Sequence, residues 1–332
     1  MSAPEFWRDP GPIPFLLSPL GSIYGLAGKI RRALVQPFDP GIPVICVGNL
    51  VAGGAGKTPV VLSLLHTIRS RGVEAHALCR GYGGSLPGPL RVEPAQHSAH
   101  GVGDEALLLA RAAPTWIARD RAAGARAAAA AGAQAIVMDD GFQNPGVKKH
   151  LSLLVVDGVY GFGNRRVMPA GPLREPIAAG LARADAVIVL GEDRAGIADI
   201  VAGVKPLLFA DIVPVAAQTP QSENRVLAFA GIGRPEKFFA MLEGMGLHIV
   251  SRHAFADHHR YSDDEIAALI AKAQEANAGI VTTEKDAVRL PPELRAKVDV
   301  VPAELAWRNT AQRDALLATV LPIFDETGAG AA

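Results

Sequence analysis

Residues 44–58 read VICVGNLVAGGAGKT, an apolar run that breaks into glycines and ends in Gly56-Lys57-Thr58. The first part has the composition of a buried strand, the glycines make a turn, and Pro59 to Arg71 reads as a helix. A strand that feeds a glycine-rich turn and then a helix is a device for holding phosphates. Backbone N–H groups close around a polyphosphate, the lysine reaches the β- and γ-phosphates, and the hydroxyl after it ligates Mg²⁺. The stretch therefore predicts a triphosphate site over Val51, Ala52, Gly53, Gly54, Ala55, Gly56, Lys57 and Thr58, with Lys57 also acting on the transferred group. It departs from the spelling G-x-x-x-x-G-K-[ST] at Val51, where a glycine is usual; the pair Gly53-Gly54 supplies the freedom of the turn instead.

Length and charge bound the rest. A chain of 332 residues has room for two domains or one large one. Lys+Arg and Asp+Glu both number 33, so the whole-chain charge gives no reason to expect nucleic acid, and a polyanion site must be a local cluster. Cys46 and Cys79 end apolar runs without metal-ligand spacing and read as small core residues of a reducing compartment. Glu5, Arg8 and Asp9 ahead of a proline-rich stretch do not make a secretory signal. Pro10 to Gly28 carries no charge, yet Pro12, Pro14, Pro19, Gly21 and Gly25 argue against one clean helix across a bilayer. Leu16, Leu17, Leu20, Ile23, Tyr24, Ala27 and Leu34 recur at helical spacing, followed by Lys29, Arg31 and Arg32. Such a face suits a helix in the plane of an anionic membrane surface, or equally a helix packed on its own domain.

Further strands are expected at Val73–Cys79, Thr115–Ala118, Ala135–Met138, Leu151–Val156, Ala186–Leu190 and Pro206–Ile212, alternating with helices. This is the signature of an α/β, P-loop NTPase-type, doubly wound and mostly parallel sheet. Composition turns to Pro, Gln, Thr and Ser around Val213–Asn224, which reads as a linker; a second α/β pattern starts at Arg225. The predicted organisation is an N-terminal segment over 1–35, a P-loop core over 36–218 and a smaller α/β domain over 219–325, joined by a hinge. Gly231-Ile232-Gly233 lacks the third glycine of a dinucleotide turn and reads as a tight turn into a helix.

Candidate chemistry clusters at strand ends. Asp139 and Asp140 follow the strand AIVM, where a P-loop fold places the carboxylate that reaches Mg²⁺. Asp104-Glu105 opens a helix and reads either as an N-cap or as a general base or a carboxylate in the outer sphere of a metal. Arg80, Arg119, Arg121, Arg165, Arg166 and Arg174 lie at strand ends or in loops, and Asn164–Pro176 reads as a substrate loop. Asp257-His258-His259 precedes a capping-box helix start at Ser262; a histidine beside an aspartate is poised for proton transfer. Thr283-Glu284-Lys285-Asp286 resembles a guanine-reading box in the wrong register and counts against GTP.

Together the segments FW…SPLGSIYG, VGNLVAGGAGKTP, RGYGG, GDEALLLA, MDDGFQN, MPAGPLREP, FADHHRY and TTEKDAVRL resemble, in order and over most of the chain, the tetraacyldisaccharide 4'-kinases of Gram-negative bacteria. The resemblance implies ATP and Mg²⁺ as cofactors, a lipid disaccharide 1-phosphate as acceptor, and a peripheral position on the cytoplasmic face of the inner membrane; no obligate protein partner is evident. It makes Asp104 the catalytic aspartate and His258 its partner. It assigns Thr58, Asp139, Asp140 and Glu105 to the metal, and Asn49, Arg80, Tyr82, Arg119, Gln143, Asn144, Arg174 and Glu175 to the acceptor. It also favours the membrane for residues 10–34. One departure is Asn144, where the family often has histidine in DDGFQH; Pro145-Gly146 after it is also unusual.

The implied mechanism is in-line transfer from ATP to the 4'-hydroxyl, with Asp104 taking the proton and His258 tuning it. Because these two lie in different expected domains, their pairing predicts closure about the hinge on nucleotide. The rival readings are a P-loop kinase or ligase of a soluble metabolite, which the uncharged apolar start disfavours, and a nucleotide-switch NTPase, which would have no acceptor base.

Overall fold

The computed structural model describes residues 4–215 and 224–324. Most of the linker expected around 213–224, the 218/219 boundary and the tail after Phe324 lie outside the described residues. Two sheets organise the rest. The larger has nine strands in the spatial order 303–307, 207–214, 186–190, 151–157, 44–48, 135–139, 75–79, 115–117 and 90–91. Its seven inner strands run parallel, and only the two outermost, 303–307 and 90–91, pair antiparallel. The P-loop strand Val44–Gly48 is central and wholly buried, which is why it reads as an unbroken apolar run. The chain winds to one side of it and then to the other, so the crevice beside its carboxyl end is the topological switch point where such sheets bind ligands.

The helix Lys57–Ser70 follows the loop and buries Val60, Val61, Leu64, Leu65 and Ile68 on one face of the sheet. Full burial of each such side chain contributes about 1.5–3 kcal/mol. Gly53 (φ 112°) and Gly56 (φ 80°) adopt the left-handed backbone that the turn into this helix requires.

The smaller sheet has four parallel strands in the order 248–254, 225–230, 279–283 and 299–301, with helices Pro235–Gly244 and Asp263–Glu275 over separate apolar clusters. The expected capping box is present: Ser262 accepts from the Glu265 N–H, and the Glu265 carboxylate accepts from the Ser262 N–H. The expected extent of the smaller domain needs correction at its end. After Val301 the chain returns to the larger sheet as Ala303–Trp307, and Leu305, Leu317, Leu321 and Phe324 join the larger core. The Trp307 indole N–H donates to Ser63 Oγ on the P-loop helix at 2.8 Å. The alternation in 303–307 gave no sign of which sheet it would join.

The N-terminal segment forms the helix that its apolar spacing predicts. Pro12–Leu34 is one continuous helix despite Pro19 and its glycines, and among the described residues it is the one long and apolar enough to cross a membrane. Pro12 and Pro14 sit in the first turn, where no N–H is needed, and Ser18 Oγ donates back to the Pro14 carbonyl at 2.7 Å. Gly21 lets the helix approach the 164–176 loop, since a Cβ there would lie 2.6 Å from the Val167 carbonyl oxygen.

Candidate active site

The strand ends of both sheets meet around a cavity of about 910 Å³ lined by the P-loop, Leu190 and Asp211 on one side and Ile232, Gly233 and Lys285 on the other. The Gly231–Gly233 turn rests on the P-loop, with a Cβ built at Gly54 only 3.7 Å from Gly233 Cα.

At the carboxyl end of the strand Ala135–Asp139, Asp139 accepts from the Thr58 hydroxyl at 3.3 Å. Its other oxygen is buried without a partner. Burial, reinforced by the nearby Glu105 charge, raises the Asp139 carboxyl well above the ordinary carboxylate value. A buried, orphaned carboxylate oxygen beside a hydroxyl suits Mg²⁺, which takes one or two protein ligands and fills its shell with water and phosphate. Asp140, held in left-handed backbone (φ 52°), is engaged differently: it accepts from Arg174 at 2.8 Å and lies 3.6 Å from the Lys57 ammonium. Burial raises its carboxyl, but Lys57 and Arg174 outweigh this and leave it below the ordinary value.

The second cluster joins the two sheets. Asp104 is the first residue of the helix Asp104–Ala112 and is 4% exposed. Its Oδ1 accepts from the Glu105 N–H at 2.9 Å, as an N-terminal helix residue does. Its Oδ2 lies 2.9 Å from His258 Nδ1, and it accepts from Arg289 Nε at 2.8 Å with Arg289 Nη2 at 2.7 Å. The N-cap is Gly103, so Asp104 stands one residue inside the helix rather than at its cap. Burial pushes its carboxyl up, but the His258 hydrogen bond and the charges of Lys285 and Arg289 hold it well below the carboxylate range. His258 takes a left-handed backbone (φ 60°), its N–H donating to the Gly231 carbonyl at 3.1 Å, and its Nε2 lies 3.3 Å from Lys285 Nζ. Lys285 in turn lies 3.5 Å from Glu105 and 3.4 Å from Asp257. The sequence reading makes the Asp104–His258 pairing depend on closure about a hinge; the structure places the two side chains within hydrogen-bond distance.

The matches to known proteins fit this geometry. The family model described as tetraacyldisaccharide-1-P 4'-kinase matches residues 13–321. A tetraacyldisaccharide 4'-kinase of Rhodospirillum centenum is 57% identical over 99% of both chains, and one of Rhodospirillum rubrum is 51% identical over 96% of this chain and 97% of its own. The chain belongs to the tetraacyldisaccharide 4'-kinase family. Among solved structures, LpxK from Aquifex aeolicus in complex with ATP superposes with a TM-score of 0.76 at 25% identity, covering 94% of this chain and all of that one.

For this 4'-kinase family member the acceptor residues expected from sequence divide into two groups. Arg80 and Tyr82 are exposed, and the Tyr82 ring stands edge-on to His258 at 5.4 Å. Arg119 is exposed and donates to the Ser85 carbonyl. Arg174 reaches Asp140 as described. The others are turned inward. Asn49 is fully buried, donates to the Val51 carbonyl at 2.8 Å and lies 3.4 Å from Lys57 Nζ, bracing the loop. Gln143 donates to the Asn49 carbonyl at 2.9 Å and to Glu175 at 3.2 Å. Asn144 accepts from the Gly146 N–H at 2.8 Å within its own turn. Glu175, 0% exposed, is a brace: Arg183 donates to it at 2.5 Å and Arg32 lies 3.3 Å away. The 164–176 loop pairs with the P-loop backbone, Ala52 N–H to the Pro172 carbonyl at 2.8 Å and Arg174 N–H to the Leu50 carbonyl at 2.7 Å.

Arg289 escaped the sequence reading. It is one turn along from Asp286 in TTEKDAVRL, and nothing in that spacing alone points across to Asp104. Asp286 accepts from Tyr261 at 2.7 Å, from the Gly231 N–H at 2.9 Å and from Arg289 at 3.1 Å, so the segment that resembled a guanine-reading box supports the Asp104 cluster instead.

Proposed function

We propose that this chain transfers the γ-phosphoryl group of ATP to the 4'-hydroxyl of a tetraacyldisaccharide 1-phosphate. The observation that carries the reading is a P-loop that lines the cavity, a strand-end aspartate with a free buried oxygen hydrogen-bonded to its Thr58, and an ionised Asp104 paired with His258, whose neighbours Glu105 and Lys285 line the same cavity. A nucleotide switch has no use for the last of these. Val51 to Thr58 cradle the triphosphate, and Lys57 neutralises the transferred group. Thr58 and Asp139 are the residues that would hold Mg²⁺, with Glu105 and Asp140 outside them. Held there, Mg²⁺ would supply positive charge that offsets the phosphate charge in the transition state. Asp104 receives the proton of the 4'-hydroxyl, and His258 fixes its orientation. Such a base contributes about 10²–10⁴-fold, and positioning carries most of the remainder.

One observation favours a second division of labour inside the pair. Both Asp104 oxygens are engaged and Asp104 is buried, whereas the His258 side chain is a quarter exposed, with Nε2 3.3 Å from Lys285 Nζ. In that version His258 Nε2 takes the proton and Asp104 fixes the tautomer. Asp104→Asn and His258→Asn distinguish them. If Asp104 is the base, Asp104→Asn loses far more activity than His258→Asn; if His258 is the base, the order reverses.

Arg80, Tyr82, Arg119 and Arg174 are proposed to face the acceptor headgroup. The helix Pro12–Leu34 is proposed to rest on the cytoplasmic face of the inner membrane, since Phe15, Leu16, Leu20, Ile23 and Leu34 form an exposed apolar surface. The decisive experiment supplies γ-labelled ATP and the lipid acceptor. Label in the lipid supports the reading; release as free phosphate alone rejects it.

A further inference from the structure

One charged cluster at the cavity takes no part in the chemistry above. Asp157 ends the strand Leu151–Asp157, beside the P-loop strand, and is buried. Its Oδ1 accepts from the backbone N–H groups of Val159 at 3.0 Å and Tyr160 at 2.9 Å, which caps the turn that follows. Its Oδ2 faces the smaller sheet's body and pairs with Arg234 at 2.5 Å and with Lys237. The Arg234 guanidinium lies over the Tyr160 ring, 4.8 Å from its centroid. Arg234 and Lys237 flank the start of the helix Pro235–Gly244, directly after the Gly231–Gly233 turn that rests on the P-loop. All three charged groups line the cavity.

The carboxylate comes from one body and both cations from the other, so the cluster joins the two bodies. In sheet order Asp157 lies on one flank of the P-loop strand, and the helix that carries Asp104 packs on strands of the opposite flank. The two bodies are therefore bridged on both sides of the cavity: by Asp104 with His258 and Arg289, and by Asp157 with Arg234 and Lys237. Partly buried ion pairs are screened little by salt, and the guanidinium is also held by the aromatic face.

We propose that Asp157 with Arg234 and Lys237 is an interdomain latch that holds the smaller domain shut over the nucleotide cavity. Asp157 is thereby a positioning residue for the Asp104–His258 pair on the opposite flank. The kinetic part of this inference rests on the kinase reading, whereas the distance part stands without it.

The test uses the full-length chain with nitroxide labels at Ala130→Cys and Glu275→Cys, one exposed position in each body. Cys46 and Cys79 are buried with thiols pushed up to about 12, so they stay unlabelled at neutral pH. The parent gives one narrow distance distribution. Asp157→Asn, which keeps the turn cap, and Arg234→Gln/Lys237→Gln, which leaves Asp157 untouched, each add a longer-distance population that a saturating ATP analogue removes. If the closed population falls to about a tenth, the apparent KM for ATP rises about tenfold. Arg234→Lys restores part of that loss. Unchanged distances in both variants overturn the latch. A raised KM with unchanged distances also overturns it, because Arg234 and Lys237 would then be nucleotide contacts. Failure of the parent to phosphorylate the lipid rejects the kinase reading and leaves the distances to judge the latch.

Discussion

Arg289→Met removes the cation that joins Asp104 to Asp286 while keeping most of the side chain's volume. In the parent, Arg289 reaches Asp104 Oδ2 with Nε at 2.8 Å and Nη2 at 2.7 Å, Asp286 Oδ1 at 3.1 Å and the Gly231 carbonyl at 2.9 Å. After the change, Asp104 keeps His258, and Asp286 keeps Tyr261, the Gly231 N–H and the Thr283 hydroxyl at 2.6 Å. Removing one partner of a buried pair costs about 3–5 kcal/mol. The surviving partners put the expectation at the low end, about 3 kcal/mol. Urea unfolding of the parent, Arg289→Met, Asp104→Asn and the double variant isolates the pair itself, for which a hydrogen bond between charged groups predicts about 1.5–3 kcal/mol of coupling. The pH dependence has a definite sign. The Asp104 carboxyl sits below its unfolded value of about 3.9, so its stabilisation is complete above that value and is lost as pH falls towards the folded one. The coupling should be constant from pH 8 to pH 5 and shrink below pH 4. Coupling under about 0.5 kcal/mol at pH 7, within the scatter expected of independent sites, would refute this account of the cluster.

Three other outcomes are expected. Asp139, with its proton held more tightly in the folded state, weakens the fold as pH rises from about 4 upward; Asp139→Asn should therefore melt higher than the parent at pH 8 in chelator, match it near pH 4, and lose Mg²⁺-dependent activity, as differential scanning fluorimetry and assay at each pH would record. Glu175→Gln should destabilise the protein by about 3 kcal/mol in urea titrations, because Arg32 and Arg183 lose a buried partner. Phe15→Ser/Leu16→Ser/Leu20→Ser should cut co-sedimentation with anionic vesicles while leaving the melting temperature within about a degree, since all three side chains are exposed.

The P-loop, the acidic strand end and the parallel sheet were legible because each is a local pattern: an apolar run, glycines where φ is positive, a carboxylate at a strand end. Asp104 and His258 became partners only through the family resemblance, since 154 residues separate them. What stayed hidden depends on tertiary packing. The same residue types serve inside and outside a site, so the sequence did not show that Asn49 and Glu175 are buried and that half-buried Gln143 links them by hydrogen bonds. Arg31 and Arg32, which read as part of a basic patch for anionic lipid, instead reach the Gln143 carbonyl at 3.1 Å and Glu175 at 3.3 Å. The return of 303–307 to the larger sheet is set by which edge is free, and no short-range pattern encodes that.

The charge pattern around the cavity carries the argument one step further. Of the four acids proposed for metal binding or proton transfer, three have a cation within ion-pair distance: Asp104 has Arg289, Asp140 has Arg174 and Lys57, and Glu105 has Lys285. Asp139 has only the Thr58 hydroxyl and a bare buried oxygen. Among the described residues, Asp139 is thus the one of these four without an ion-paired cation, and a divalent ion held there with phosphates would complement it. The same pattern bears on the proton acceptor. On the reading proposed above with Asp104 as the base, a carboxylate held so low is a weak base, which suits a loose phosphoryl-transfer transition state, where the attacking hydroxyl needs its proton removed only late. On that reading the cations that weaken Asp104 as a base also keep it ionised and fixed, and in a reaction dominated by positioning the second effect outweighs the first.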